Sequence, residues 1–91
     1  MCNVYVIESR SGQCKVGVSE WPAKRLEQLQ RNHDTDLTLA HVFKCDGHGA
    51  AYQLEKEIHK QLADYALGHE WFRCIGEYAV AAGLQVLQQY D

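Results

Sequence analysis

Long apolar runs, paired cysteines and an excess of positive charge are all missing from this sequence of 91 residues. No stretch approaches the roughly 18 apolar residues of a membrane-spanning helix. The first residues do not join a basic segment to an apolar one, as a signal peptide does. The sequence therefore predicts a single domain over residues 1–91, no contact with a membrane and a location in the cytoplasm.

The cysteines are scattered and form no C-x-x-C pair. There are four of them: Cys2, Cys14, Cys45 and Cys74. In a cytosolic protein, thiols of this kind are kept reduced and behave as small buried hydrophobic groups. A zinc site that combines cysteines with His41 or His48 is the alternative, but the spacing does not match that of known zinc motifs.

Charge alone does not indicate a nucleic-acid-binding protein, because the net charge is −3. The two halves of the chain differ, however. Residues 1–45 carry six basic and five acidic side chains, whereas residues 46–91 carry three basic and seven acidic ones. Any contact with phosphate groups should therefore come from the N-terminal half.

Hydrophobic periodicity predicts an α+β fold with the element order β-β-α-β-α-α. The predicted strands are 3–8, 14–18 and 37–45, and the predicted helices are 22–32, 50–65 and 76–90. We expect a three-stranded antiparallel sheet flanked by helices. The last helix carries Val80, Leu84 and Leu87 beside its main apolar stripe, and these residues could complete the core or form a homodimer contact.

Two charged residues lie on apolar helix faces. Arg25 shares a face with Leu26 and Leu29, and Glu55 falls within the stripe formed by Ala51 and Ile58. Burial of an unpaired charge costs several kcal/mol, so each needs a partner or access to water. The two could pair across the core, or Glu55 could reach solvent from the edge of its stripe. The third interpretation is a site in which Glu55 holds a divalent cation and Arg25 a phosphate.

Three further residues are candidates for the same chemistry. Tyr5 lies in the middle of the first strand, Lys15 lies in the second, and His59 follows Glu55 by one helical turn. Two of them also have a structural interpretation: Tyr5 as a packed tyrosine with a satisfied hydroxyl, and His59 as an exposed histidine. The aromatic pair Trp71–Phe72 is predicted to belong to the core.

In this order, these residues resemble the GIY-YIG nuclease superfamily over about residues 3–73. Val4-Tyr5 corresponds to the first motif and Lys15-Val16-Gly17 to the second. Arg25 in PAKRLEQL corresponds to the helix arginine and Glu55 in LEKEIHKQL to the metal-binding glutamate. The segment GHEWF resembles a small phage and bacterial branch, in which a Lys-Ile-Gly second motif and a Glu-Trp-Phe ending recur.

The resemblance implies metal-dependent hydrolysis of a phosphodiester bond in DNA. Glu55 would hold Mg²⁺ or another divalent cation, Arg25 would hold the phosphate, and Tyr5 would accept a proton, with Lys15 and His59 as further catalytic candidates. Lys15 replaces the tyrosine of the second motif and is a poor base at its ordinary pKa of about 10.4. A catalytically inactive binding module that contacts DNA or a protein partner is therefore the alternative function. A purely structural protein with an Arg25–Glu55 ion pair is a third.

Overall fold

The structure is a computed structural model that describes residues 2–89. The strands are β1 (Cys2–Ser9), β2 (Gln13–Ser19), β3 (Leu37–Cys45), β4 (Ala66–Gly68) and β5 (Trp71–Phe72). The helices are α1 (Pro22–Arg31), α2 (His48–Gln61) and α3 (Gly76–Gln89), with a short 3-10 helix at Ala63–Tyr65. The three predicted helices and three predicted strands all form, with ends that differ by a few residues.

The prediction of a three-stranded sheet is wrong, because the sheet has five antiparallel strands in the order β3-β1-β2-β5-β4. The two additional strands have three and two residues, too few for alternation of apolar and polar side chains to reveal them. Residues 66–68 come immediately after the predicted helix 50–65, so the sequence predicts no strand there. They become a strand only by pairing with β5, which itself pairs with β2.

The turn between β4 and β5 has an unusual backbone. Gly68, His69 and Glu70 all have positive φ, at 102°, 53° and 71°. A non-glycine residue in this region costs on the order of 1–3 kcal/mol and is held there by its surroundings. Here the backbone N–H of Val16 donates to the carbonyl of Glu70 at 3.1 Å, and Lys15 Nζ donates to the carbonyl of His69 at 2.7 Å.

Helices cover both faces of the sheet. Helix α1 packs Leu26 and Leu29 against a small cluster that contains Tyr5 and Ile7. Helices α2 and α3 pack on the opposite face, over a larger cluster; it includes Val4, Val6, Val16, Phe43, Leu54, Ile58, Phe72, Ala79 and Val86. Cross-strand partners share a face, and Tyr5 pairs with Gly17 while Ile7 pairs with Lys15. Lys15 and Gly17 therefore belong to the α1 face.

The apolar residues of α3 divide between core and surface. Val80 packs against the larger cluster, whereas Leu84 and Leu87 are exposed. The homodimer contact through this helix therefore stays a prediction. Within residues 2–89, no helix combines the length and the apolar character needed to cross a membrane.

The cysteines match the prediction of free thiols. All four are unbridged, and Cys2, Cys14 and Cys74 are buried while Cys45 is half-buried. The sulfur atoms of Cys14 and Cys74 lie 3.6 Å apart, and burial raises the pKa of the Cys14 thiol well above its usual value. In the part of the chain that the structure describes, no three His, Cys, Asp or Glu side chains are grouped to hold a metal. The zinc alternative therefore finds no support there.

Candidate active site

The candidate site lies along the edge of β2 that is only partly covered by β5. Strand β5 pairs with β2 only at Cys14 and Lys15, so the rest of that edge has no strand beside it within residues 2–89. Helix α2 follows this edge instead. His59 Nε2 contacts the carbonyl oxygen of Val16 at 2.9 Å, and His48 Nε2 lies 3.6 Å from Glu20 Oε1 just beyond the end of β2. We call the residues gathered here the β2-edge site: Tyr5, Lys15, Gly17, Arg25, Glu55, His59 and Glu70.

Tyr5 is the innermost member of the β2-edge site, with only 1% of its surface exposed. Burial raises the pKa of its phenol above the usual value of 10.0. The neighbouring Arg25 guanidinium acts in the opposite direction, while the charges of Glu70 and Glu55 raise the pKa further. A cation from α1 and a carboxylate from α2 therefore both influence the Tyr5 phenol, although these helices lie on opposite faces of the sheet.

The Tyr5 hydroxyl occupies the space that a side chain at position 17 would fill, and Gly17 has no side chain. A Cβ atom at position 17 would lie 2.6 Å from Cζ of Tyr5 and 3.1 Å from Oε1 of Glu70. Real Cβ atoms do not approach other atoms this closely, so glycine is required by contact and not by backbone conformation. The glycine of the second motif therefore lets the phenol and the Glu70 carboxylate meet over β2.

Lys15 is buried, and its ammonium group is held by the β4–β5 turn. In addition to its bond to the His69 carbonyl, Nζ lies 3.4 Å from Glu70 Oε1 and 5.6 Å from the centre of the Trp71 ring. An unpaired buried ammonium would be costly, so these contacts explain why the strained turn and Lys15 occur together. The cation positions Glu70 beside the Tyr5 hydroxyl.

Glu55 is half-buried and makes no hydrogen bond or ion pair with any residue in 2–89. Burial raises the pKa of its carboxyl group, the charge of Glu70 raises it further, and His59 and Lys15 partly offset these effects. The side chain is thus a partly desolvated acid beside a second acid. The Glu70 carboxylate is paired with Lys15, so Glu55 is the acid whose negative charge a bound cation would compensate.

The tautomer of His59 follows from its partner. The Val16 carbonyl can only accept a hydrogen bond, so Nε2 of His59 carries the proton and Nδ1 of the neutral ring keeps its lone pair. The ring also packs against Phe72, with the ring centres 5.0 Å apart. His59 is therefore a fixed, half-buried imidazole beside Glu55, with one nitrogen free to accept a proton.

All five side chains selected from the sequence lie in this one site: Tyr5, Lys15, Arg25, Glu55 and His59. The suggested ion pair between Arg25 and Glu55 is not among the salt bridges of residues 2–89. Both residues are half-buried and remain open to water. A separate, mainly apolar hollow between β3, α2 and α3, lined by residues such as Leu54 and Leu87, includes none of the five selected side chains.

Glu70 is the member that sequence reasoning missed as a site residue. Its backbone carbonyl accepts the N–H of Val16, and its carboxylate faces Lys15. The signal was an acidic residue directly before a Trp-Phe pair. The sequence does not show where the Glu70 side chain points, because that depends on the positive-φ turn at His69 and Glu70.

Replacement of Gly17 by Ala should destabilise the fold by about 1–3 kcal/mol, the usual cost of inserting a methyl group into a filled space. For a domain of this size that corresponds to a fall in Tm of several degrees, at about 4–8 °C per kcal/mol. Thermal unfolding followed by circular dichroism measures the effect. Gly49→Ala is the matched control, because a Cβ atom at position 49 meets nothing within 4 Å. An equal Tm for the two variants would contradict the packing argument.

A comparison with protein families finds a match over most of the chain. The model of the T5orf172 domain matches residues 3–89, almost the whole chain. This domain is phage-associated and related to nuclease-like folds of the GIY-YIG type. Comparisons with curated proteins and with solved structures find no match.

Proposed function

This chain belongs to the T5orf172 domain family, and from that premise we propose that it is a GIY-YIG-type, metal-dependent DNA endonuclease. The proposal rests on one observation. A guanidinium from α1 and a carboxylate from α2 both influence the pKa of the same buried phenol, and both charged side chains are only half-buried. Within residues 2–89 the two charges form no ion pair with each other, so a salt bridge does not account for their placement.

The β2-edge site offers a hard divalent cation one carboxylate without a protein partner, and no three His, Cys, Asp or Glu side chains are grouped to hold a metal within residues 2–89. Glu55 has no protein partner within residues 2–89, and the neighbouring Glu70 charge raises its pKa. Mg²⁺ typically uses one or two carboxylates and completes its shell with water and substrate phosphate. We propose that Glu55 holds the ion, with Glu70 in the surrounding shell. When bound, the ion would neutralise charge on the scissile phosphate and stabilise the leaving oxygen.

The remaining residues supply positioning and proton transfer. Arg25 would hold a non-bridging phosphate oxygen through its planar guanidinium, which matches phosphate geometry. A water molecule would attack phosphorus and lose one proton to Nδ1 of His59, and one P–O ester bond would break. The leaving oxygen would take a proton from solvent.

Tyr5 and Lys15 would act indirectly in this scheme. The Tyr5 hydroxyl is buried against Gly17, near Glu70, and this leaves little room for a water molecule beside it. Tyr5 is therefore better suited to orient Arg25 than to activate water. The Lys15 ammonium is held by His69 and Glu70. We therefore assign both as positioning residues and His59 as the proton acceptor.

The direct test is conversion of supercoiled plasmid to the nicked form by purified protein, with Mg²⁺ or with a chelator. We expect nicking with Mg²⁺ that chelation removes. Absence of nicking across a range of DNA structures and divalent cations would overturn the proposed activity.

The acid side of the pH profile offers a second test. The raised pKa of Glu55 means that its carboxyl group takes up a proton at a higher pH than an ordinary glutamate. Protons and metal compete for the same carboxylate, so activity should fall as pH falls and the midpoint should move to lower pH with increasing Mg²⁺. Nicking rates measured over pH at several Mg²⁺ concentrations would show this. An apparent Mg²⁺ affinity, taken from these rates, that does not weaken as pH falls would remove Glu55 from the metal site.

One observation favours the alternative of a binding module that does not cleave. Lys15 replaces the motif tyrosine, and its ammonium is committed to the β4–β5 turn. A binding module predicts a salt-sensitive gel shift with DNA that Glu55→Gln leaves unchanged, without nicking by the unmodified protein.

A further inference from the structure

A stripe of side chains on α2 runs along the open edge of β2. His48, Tyr52, Glu55 and His59 are spaced by four, three and four residues, so they lie on one face of the helix. His59 marks one end of the stripe at Val16, and His48 marks the other at Glu20. Eleven residues of helix separate the two ends, a length of roughly 16 Å at about 1.5 Å per residue.

Two exposed aromatic residues adjoin the residues of the Glu20–His48 end: Trp21 follows Glu20 in the sequence, and the ring of Tyr52 stacks on His48 with their centres 6.5 Å apart. Trp21 is 70% exposed and Tyr52 is 58% exposed. Each lies one helical turn from a member of the β2-edge site: Trp21 precedes Arg25 by four residues, and Tyr52 precedes Glu55 by three. The backbone N–H of Arg25 donates to the carbonyl of Trp21 at 3.0 Å, which fixes this spacing.

Local structure does not explain a tryptophan at position 21. The residue is the N-cap of α1, yet its side chain makes no capping hydrogen bond. Serine, threonine, aspartate or asparagine would stabilise the helix start, and tryptophan does not. Its exposure also shows that the core does not use it. An exposed tryptophan beside a charged site is suited to contact with a flat apolar surface.

We propose that Trp21 and Tyr52 form a stacking platform for unpaired bases of the DNA strand beside the scissile phosphate. The substrate would then be single-stranded or locally unpaired DNA, because base faces inside a duplex are already stacked. This inference rests on the proposed function, since it takes the β2-edge site as the place where the backbone binds. A chain with a net charge of −3 gains little affinity from phosphate contacts, and stacking supplies affinity without cationic side chains.

The test measures binding separately from cleavage. In a Glu55→Gln background, affinities for a short oligothymidylate and for a matched duplex would be measured by fluorescence anisotropy of labelled DNA. We expect Trp21→Ala and Tyr52→Ala each to weaken binding of the single strand by about 5- to 150-fold, the range found for loss of one stacked base. Duplex binding should change much less. Tyr78→Ala is the control, because Tyr78 is 54% exposed but lies on α3.

Intrinsic fluorescence provides an independent reading. Oligothymidylate should quench tryptophan emission of the parent protein, and Trp21→Phe should lose most of that quenching while it retains binding. If Trp21→Ala and Tyr52→Ala bind the single strand as well as Tyr78→Ala does, the stacking proposal is overturned.

The outcomes separate the two proposals. Single-strand binding that depends on Trp21, in a protein that never nicks DNA, would support the platform and reject the nuclease. Nicking of DNA by a protein whose single-strand affinity is insensitive to Trp21 and Tyr52 would support the nuclease and reject the platform.

Discussion

Replacement of Glu55 by Gln should reduce Mg²⁺-dependent nicking by more than about 10²-fold, comparable to the loss of one key electrostatic group in other active sites. The same substitution should leave Tm at neutral pH unchanged or raise it. The carboxylate is partly desolvated and forms no hydrogen bond or ion pair within residues 2–89, and the charges of His59 and Lys15 offset the rise in its pKa only in part. Glutamine keeps the shape and removes the charge. Plasmid nicking and thermal unfolding would be measured on the same preparation.

The expected sign of the stability change follows from the pKa of Glu55. Its pKa is raised in the folded state, so its favourable contribution is present at low pH and is lost as pH rises through the folded-state pKa. A permanently neutral glutamine avoids that loss at pH 7. Added Mg²⁺ should raise the Tm of the parent protein but not that of Glu55→Gln, because only the parent would hold the ion.

Glu57→Gln is the control for this prediction. Glu57 lies on the same helix, and its carboxylate forms an ion pair with Lys60 at 3.4 Å, outside the β2-edge site. It should retain nicking activity. A large fall in the Tm of Glu55→Gln, with activity lost only in proportion to unfolding, would identify Glu55 as a structural residue.

Replacement of Arg25 by Ala should reduce nicking by about 10²–10³-fold, the range for removal of one group that stabilises charge in a transition state. The Arg25 guanidinium partly offsets the rise in the pKa of the Tyr5 phenol, and its Nη1 donates to Gln28 at 3.3 Å. Arg25→Lys should recover little activity, because lysine lacks the planar fork of donors. Steady-state rates should show a fall in both kcat and kcat/KM.

Lys24→Ala provides the matched control, since Lys24 is an exposed cation adjacent to Arg25 on α1. Its loss should weaken DNA binding slightly and more so at low salt, without a change in kcat. If Lys24→Ala and Arg25→Ala reduced nicking equally, Arg25 would be contributing only general positive charge.

The sequence made Arg25 and Glu55 visible because a charge on an apolar helix face is a local feature. Helical periodicity alone shows that Arg25 shares a face with Leu26 and that Glu55 lies within the stripe of Ile58. Pairing between the two was an equally reasonable interpretation of the pattern. Only the tertiary structure excludes an Arg25–Glu55 ion pair within residues 2–89, because helical periodicity does not predict on which face of the sheet each helix packs.

The sequence by itself determined the three helices and the three long strands, because these depend on interactions between residues a few positions apart, which repeat with the period of a helix or strand. It also selected five of the seven residues of the β2-edge site, and their roles stay predictions.

Tertiary structure alone decided the last two strands, the place of Glu70 and the open edge of β2. Strands of two or three residues exist only through hydrogen bonds to a neighbour distant in sequence. The left-handed turn at His69 and Glu70 is likewise maintained by Lys15 and Val16, more than fifty residues earlier in the chain. No local sequence pattern predicts such contacts, because they stabilise the protein only after distant strands have come together in the sheet.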